Sequence, residues 1–210
     1  MTLLAKINNF NSLTFSRKKQ YLTRVFRIII HSIFKFEYKK SGHNVYIGSP
    51  LFITKEHITL GSNINIWNGV RLEGVAQYAG CDFSPDIIIE DAVSFQQRCT
   101  VVAAGTLKIG EGTLISYDVM ITDVDHLYMD INCPIGSQKL RHTQTTIGKN
   151  CFIGSGSKIL AGTRLGNHCI VGANTVVRGV FPPYSVICGN PARIVKRYNV
   201  EKKEWQKLNL

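Results

Sequence analysis

Six aliphatic residues, Ile147, Ile153, Ile159, Leu165, Val171 and Val177, follow one another at intervals of six. Four are followed by glycine, and each is preceded two places earlier by a small residue: Thr145, Cys151, Ser157, Thr163, Cys169 or Thr175. The beat begins at Ile47 and Ile53 and runs on through Leu60, Ile66, Leu72, Ile89, Phe95, Val101, Ile109, Ile115 and Ile121. A six-residue period fits no helix face over such a length, and the frequent Gly and Asn exclude long strands. It fits short strands joined by tight turns in a solenoid. The aliphatic side chain then points inward, and strand alternation turns the small residue two places earlier the same way. The Gly and Asn after each beat are expected to supply the positive φ of a turn. If three hexads close one triangular coil, residue i stacks on i+18, and Cys151 lies over Cys169. The expected fold is all-β: a parallel β-helix of about six triangular coils over residues 43–190.

Two stretches interrupt the beat, residues 73–86 and residues 122–144. A solenoid accepts such insertions as loops on one face, often the binding face. Residues 1–42 carry no repeat and form a basic segment, in which Leu22, Val25, Phe26, Ile29, Ile30, Ile33 and Phe34 predict a helix from about Arg17 to Phe36. Such a helix packs on the body or a partner subunit, or lies on a membrane interface. Residues 191–210 read as a strand followed by a short basic helix.

The net charge of +11 is unevenly placed: +8 over residues 1–40, −1 over 41–192 and +4 over 193–210. A neutral body argues against a groove that tracks a nucleic-acid backbone. Basic ends suit a local anionic partner, such as a membrane surface or one phosphorylated ligand. No stretch reads as a secretory signal or a membrane span. Six cysteines without metal-ligand spacing are expected as reduced thiols of a cytoplasmic protein, with no metal.

The hexads, the loop containing His126, and the exit "PPYS" at 182–185 followed by "GNPAR" at 189–193 together resemble the hexapeptide-repeat acyltransferases. The branch that acetylates sugars of bacterial surface polysaccharides (colanic acid, O-antigen, capsule) is the most similar. The resemblance implies a left-handed β-helix, a homotrimer, and acetyl-CoA as co-substrate in a groove between subunits. In that family the catalytic histidine follows the last inward aliphatic residue before the long loop by five positions, which here is His126 after Ile121. The branch commonly reads Ser/Thr-Asp-His-Asp/Asn-His, then Gly-Tyr. This chain reads Thr122-Asp123-Val124-Asp125-His126-Leu127-Tyr128, with valine in place of the first histidine.

Acetyl transfer from a thioester to a hydroxyl needs a base, stabilisation of the oxyanion, and alignment of two substrates. The unperturbed imidazole pKa of ~6.5 suits the base. Asp123 and Asp125 are candidate orienters of that ring. Gln96, Gln97 and Tyr128 are candidates for support or acceptor contact. The resemblance places the pantetheine arm on Gly154, Ser155, Ala161, Gly162 and Ala173, and the CoA phosphates on Arg178, Arg193 and Lys196. Phe152 is expected to pack beneath the loop, and the other histidines, His142 among them, are read as surface or packing residues. The expected function is O-acetyl transfer to a sugar hydroxyl of a surface polysaccharide or its precursor, at the inner face of the cytoplasmic membrane if the basic segment binds lipid. The alternatives are a nucleotide-sugar amine or other small acceptor, and a degenerate scaffold. Zinc chemistry of the carbonic-anhydrase type lacks its paired histidines.

Overall fold

The computed structural model describes residue 10 and residues 12–208; the first nine residues of the basic segment, residue 11 and residues 209–210 lie outside them. Strands of two to four residues build three parallel sheets. The first begins at Lys40–Ser41 and runs through Ile58–Leu60, Asp86–Ile89, Thr106–Ile109, Thr146–Ile147 and Arg164–Leu165 to Val180–Phe181. The second stacks Tyr46–Ile47, Asn65–Ile66, Ser94–Phe95, Leu114–Ile115, Phe152–Ile153, Ile170–Val171 and Ser185–Cys188. The third stacks Phe52–Ile53, Arg71–Gly74, Thr100–Ala103, Met120–Thr122, Lys158–Ile159 and Val176–Val177. The chain visits the sheets in rotation, so six full coils and part of a seventh make a triangular prism.

The hexad beat forms the interior. One column aligns Leu60, Ile89, Ile109, Ile147, Leu165 and Phe181. Another aligns Ile66, Phe95, Ile115, Ile153, Val171 and Ile187, and the third runs Leu72, Val101, Ile121, Ile159, Val177. The small residues before each beat are buried, as expected. Their polar atoms close the turns of the coil stacked next to them: Ser157 Oγ donates to Gly172 O at 2.8 Å and Thr163 Oγ1 to Val177 O at 3.0 Å. Cys151 and Cys169 donate Sγ–H to Gly166 O and Pro182 O, both at 3.3 Å, as free thiols. A short side chain with a donor fits beside each of these carbonyls; Val177 O also accepts from the Leu160 N–H and Pro182 O from Ser185 Oγ.

The glycines after each beat serve a different purpose from the one expected. A Cβ on Gly148 would stand 2.5 Å from the carbonyl carbon of Gly166 in the next coil, so glycine is required for backbone stacking. The left-handed backbone falls two residues later, at Asn150, Gly156, His168 and Asn174.

The helix, α1, spans Phe15–Phe34 and packs on Tyr46–Ile47. Its polar side faces the coil. Arg24 bonds Asn65 and lies over the Tyr46 ring, Arg27 bonds Gly48 O and Ser49 Oγ, and the buried His31 bonds Ser41 Oγ at 2.8 Å. Leu22, Phe26, Ile29 and Ile33, one stripe at helical spacing, are each more than half exposed, and Phe26 also borders the groove beside the helix. A groove of about 820 Å³ runs between α1 and the first coil, lined by Phe26, Ile30, Tyr38 and Ile53 among others.

The C-terminal residues correct the expected helix. Arg193–Asn199 turns back antiparallel on Ser185–Cys188, and Glu204–Lys207 adds a further antiparallel strand. The edge-on Tyr198–Trp205 pair, with ring centroids 5.5 Å apart, holds that hairpin.

Candidate active site

Both insertions leave the prism at the corner between the third and first sheets. The earlier one forms a small hairpin, Gln77–Tyr78 against Cys81–Asp82. The later one forms a hairpin of Val124–His126 against Leu140–His142. Between them the chain turns the same corner tightly at Ala104-Gly105. Three successive corners therefore combine two projecting loops with a flat floor.

His126 ends the first strand of the second hairpin with its imidazole exposed. The Tyr78 ring of the first hairpin meets it edge-on, with centroids 5.4 Å apart. The Tyr78 hydroxyl donates to Gly136 O at 2.9 Å, tying the tip of the second loop to the first. Sequence spacing did not reveal Tyr78; its role comes from two loops sharing a corner. The other polar positions of His126 are open to a substrate: among the described residues it forms no ion pair with either aspartate.

Asp123 is fully buried. Its carboxylate accepts the N–H groups of Ala104 at 2.8 Å and Gly105 at 3.0 Å, and Oδ2 lies 3.5 Å from His142 Nε2. Burial pushes its carboxyl above the usual range, and the two amides and His142 pull the other way. Asp125 instead binds Arg178 with both oxygens, at 2.7 and 3.1 Å, and Arg141 at 3.4 Å. The Arg178 guanidinium holds this carboxyl below its ordinary value. Among the described residues neither aspartate is hydrogen-bonded or ion-paired to His126. The imidazole that gains an acid is His142.

The remaining candidates fall into two groups. Ala161, Gly162 and Arg178 lie at the hairpin corner; Ala161 is buried and the Gly162 N–H donates to Thr143 O at 3.0 Å. The Arg178 guanidinium is paired with Asp125 within the chain. Gln96, Gln97, Gly154, Ser155 and Ala173 lie at the next corner, between the second and third sheets. Residues six apart occupy successive corners and residues eighteen apart the same one, so one chain does not bring this group to His126. Gly154 is held by stacking, because a Cβ would stand 2.6 Å from the Ala173 nitrogen. Arg193 and Lys196 lie on the last long strand, where Arg193 bonds Ala192 O at 3.0 Å. Tyr128 is exposed. Phe152 is also exposed, on the outer face of the second sheet rather than beneath the loop, because it alternates with the inward Ile153.

Known proteins fit this geometry. The family described as bacterial transferase hexapeptide (six repeats) matches residues 144–179. WbbJ of Escherichia coli (strain K12), named as a lipopolysaccharide biosynthesis O-acetyl transferase, is 32% identical over 166 residues, covering 75% of this chain and 81% of WbbJ. Two solved structures share the fold. AntD, an N-acyltransferase from Bacillus cereus in complex with dTDP and 3-hydroxybutyryl-CoA, superposes at a TM-score of 0.65 and 17% identity, covering 82% of this chain and 89% of AntD. A maltose O-acetyltransferase from Clostridium difficile 630 does so at 0.50 and 19%, covering 90% and 81%. The chain belongs to the hexapeptide-repeat transferase family, as an acyltransferase built on the left-handed parallel β-helix.

Proposed function

We propose that the protein transfers an acetyl group from acetyl-CoA to a sugar hydroxyl of a bacterial surface polysaccharide or its precursor, with His126 as general base. The observation that carries this reading is His126 itself, an exposed imidazole on a hairpin that leaves the coil directly after the strand holding Ile121, buttressed by Tyr78 and in no ion pair among the described residues. The similarity to WbbJ supports the acceptor class. The imidazole takes the hydroxyl proton as the oxygen attacks the thioester carbonyl. The tetrahedral intermediate then expels the CoA thiolate, which recovers the proton from the imidazolium.

The split of the small residues between two corners supports a homotrimer in which one subunit's hairpin corner faces the neighbour's second-to-third-sheet corner. The pantetheine arm then lies between subunits, along Gly154, Ser155 and Ala173 of one chain and Ala161 and Gly162 of the next.

The seating of α1 supports attachment to an anionic membrane surface. Its apolar stripe is exposed, and no acidic residue precedes Glu37 while seven Lys or Arg do. A second copy of so basic a segment is repelled, whereas anionic lipid attracts it. Among the described residues no helix is long and apolar enough to cross a membrane.

The test is incubation of purified protein with acetyl-CoA, glycan isolated from the producing cell and a nucleotide sugar bearing a free amine, read by mass spectrometry of both acceptors. A gain of one or more acetyl groups is expected. Intact glycan alongside an acetylated nucleotide-sugar amine would overturn the acceptor assignment.

A further inference from the structure

His142 looked unremarkable in the sequence, yet it receives the one fully buried carboxylate among the described residues. The floor of the corner is shaped around the pair. A Cβ on Gly105 would stand 2.0 Å from His142 Nε2, so the imidazole rests where a side chain would otherwise be. Asp123 itself is fixed by the Ala104 and Gly105 amides. A buried carboxylate is costly to desolvate, and no other corner of the coil closes on a buried acid among the described residues.

The hairpin register relates this pair to the base. His142 is the cross-strand partner of Val124, and Leu140 is the partner of His126. Directly opposed residues of an antiparallel ribbon project from one face, and diagonal neighbours lie within about 7–8 Å. His126 and His142 are such neighbours, and Asp125 and Arg141 occupy the other face. Position 124 is where the loop departs from the pattern it resembles, and the residue opposite supplies an imidazole to the same face.

We propose that His142, held by Asp123, is an acceptor-binding residue: with Nε2–H turned to the carboxylate, its Nδ1 accepts a hydrogen bond from a saccharide hydroxyl and so presents the neighbouring hydroxyl to His126. This rests on the reading of His126 as the base of an acetyl transfer. Two imidazoles on one ribbon face then divide the work, one removing the proton and the other selecting which hydroxyl is offered. Asp123 acts through His142 as a positioning residue.

The experiment compares wild type, His142→Ala, His142→Gln and Asp123→Asn in steady-state transfer from acetyl-CoA. The acceptor is oligosaccharide released by mild acid from the producing cell's lipopolysaccharide. His142→Ala is expected to raise the acceptor KM about two- to tenfold, the range for losing a hydrogen bond between neutral groups, with the acetyl-CoA KM unchanged. His142→Gln retains an acceptor and recovers part of the loss, and Asp123→Asn follows His142→Ala. An unchanged acceptor KM in folded His142→Ala overturns the assignment of His142 while leaving His126 in place. A parallel rise in the acetyl-CoA KM overturns it as well, because that marks general distortion of the corner. Wild-type protein that fails to transfer acetyl to this oligosaccharide overturns the underlying reading, and the role of His142 with it.

Discussion

Gly105→Ala adds one methyl group at the floor of the corner, and its consequences are calculable. The new Cβ would stand 2.0 Å from His142 Nε2 and 2.5 Å from Cδ2 and Cε1. Ordinary contact between such atoms is about 3.5–4.0 Å, so the ring must retreat by roughly 1.5 Å or more. It has somewhere to go, because the His142 side chain is 38% exposed at the loop edge. The backbone has no reason to move, since Gly105 is outside the left-handed region and accepts alanine. Asp123 keeps its two amide donors and loses His142. At 3.5 Å and partial exposure that contact contributes about 1 kcal/mol, against a gain of about 0.4–1 kcal/mol from restricting the unfolded chain. The net change in stability is therefore near zero. Urea unfolding followed by circular dichroism should give a midpoint close to wild type, while acceptor kinetics should reproduce those of His142→Ala. A stability loss above about 3 kcal/mol with normal acceptor KM would refute the reasoning, because the glycine would then serve the coil and not the imidazole.

Three other outcomes are expected. Replacing Phe26, Ile29 and Ile33 together by serine should leave the β-helix folded and reduce flotation with vesicles containing anionic phospholipid by about tenfold or more; equal flotation would remove the membrane assignment. Phe95 is the single aromatic in its inward column and fully buried, so Phe95→Ala should cost about 3–5 kcal/mol in denaturant titration. The Asp125–Arg178 pair is partly exposed and stabilises by less than about 1 kcal/mol. Because Arg178 holds the Asp125 carboxyl down, that contribution is present above the unfolded value of ~3.9 and is lost as pH falls through the lower folded value. Removing the pair with Arg178→Ala should lower stability above ~3.9 and flatten the acid limb between ~3.9 and the lower folded value, with the two proteins converging below it, as acid titration followed by circular dichroism would show.

The hexad beat made the interior legible, because inward position follows from spacing alone: Ile147, Ile153 and Ile159 define three faces and Leu165 returns to the first. The same count made Ile121 the last inward residue of its coil, and the family resemblance picked out His126 five residues on. What spacing does not carry is partnership between segments. Tyr78 and His126 meet because two insertions share a corner, and His142 meets Asp123 because a hairpin register brings them together. Two aspartates flanking a histidine in sequence suggested orienters, but strand alternation sends Asp125 to the opposite face, toward Arg178. The stripe on α1 was visible as a period, but which way it faces was not, since that depends on Arg24, Arg27 and His31 finding partners on the first two coils. The C-terminal residues were too few to separate strand alternation from a helix face, and the Tyr198–Trp205 contact decides for the hairpin.

The most direct test of the central claim is the rate of CoA release from acetyl-CoA in the presence of the producing cell's glycan, for wild type and His126→Ala at equal concentration of folded protein. The account predicts a loss of about a hundredfold or more in kcat, the range for removing a general base, with acetyl-CoA binding retained. Full transferase activity in folded His126→Ala would contradict it.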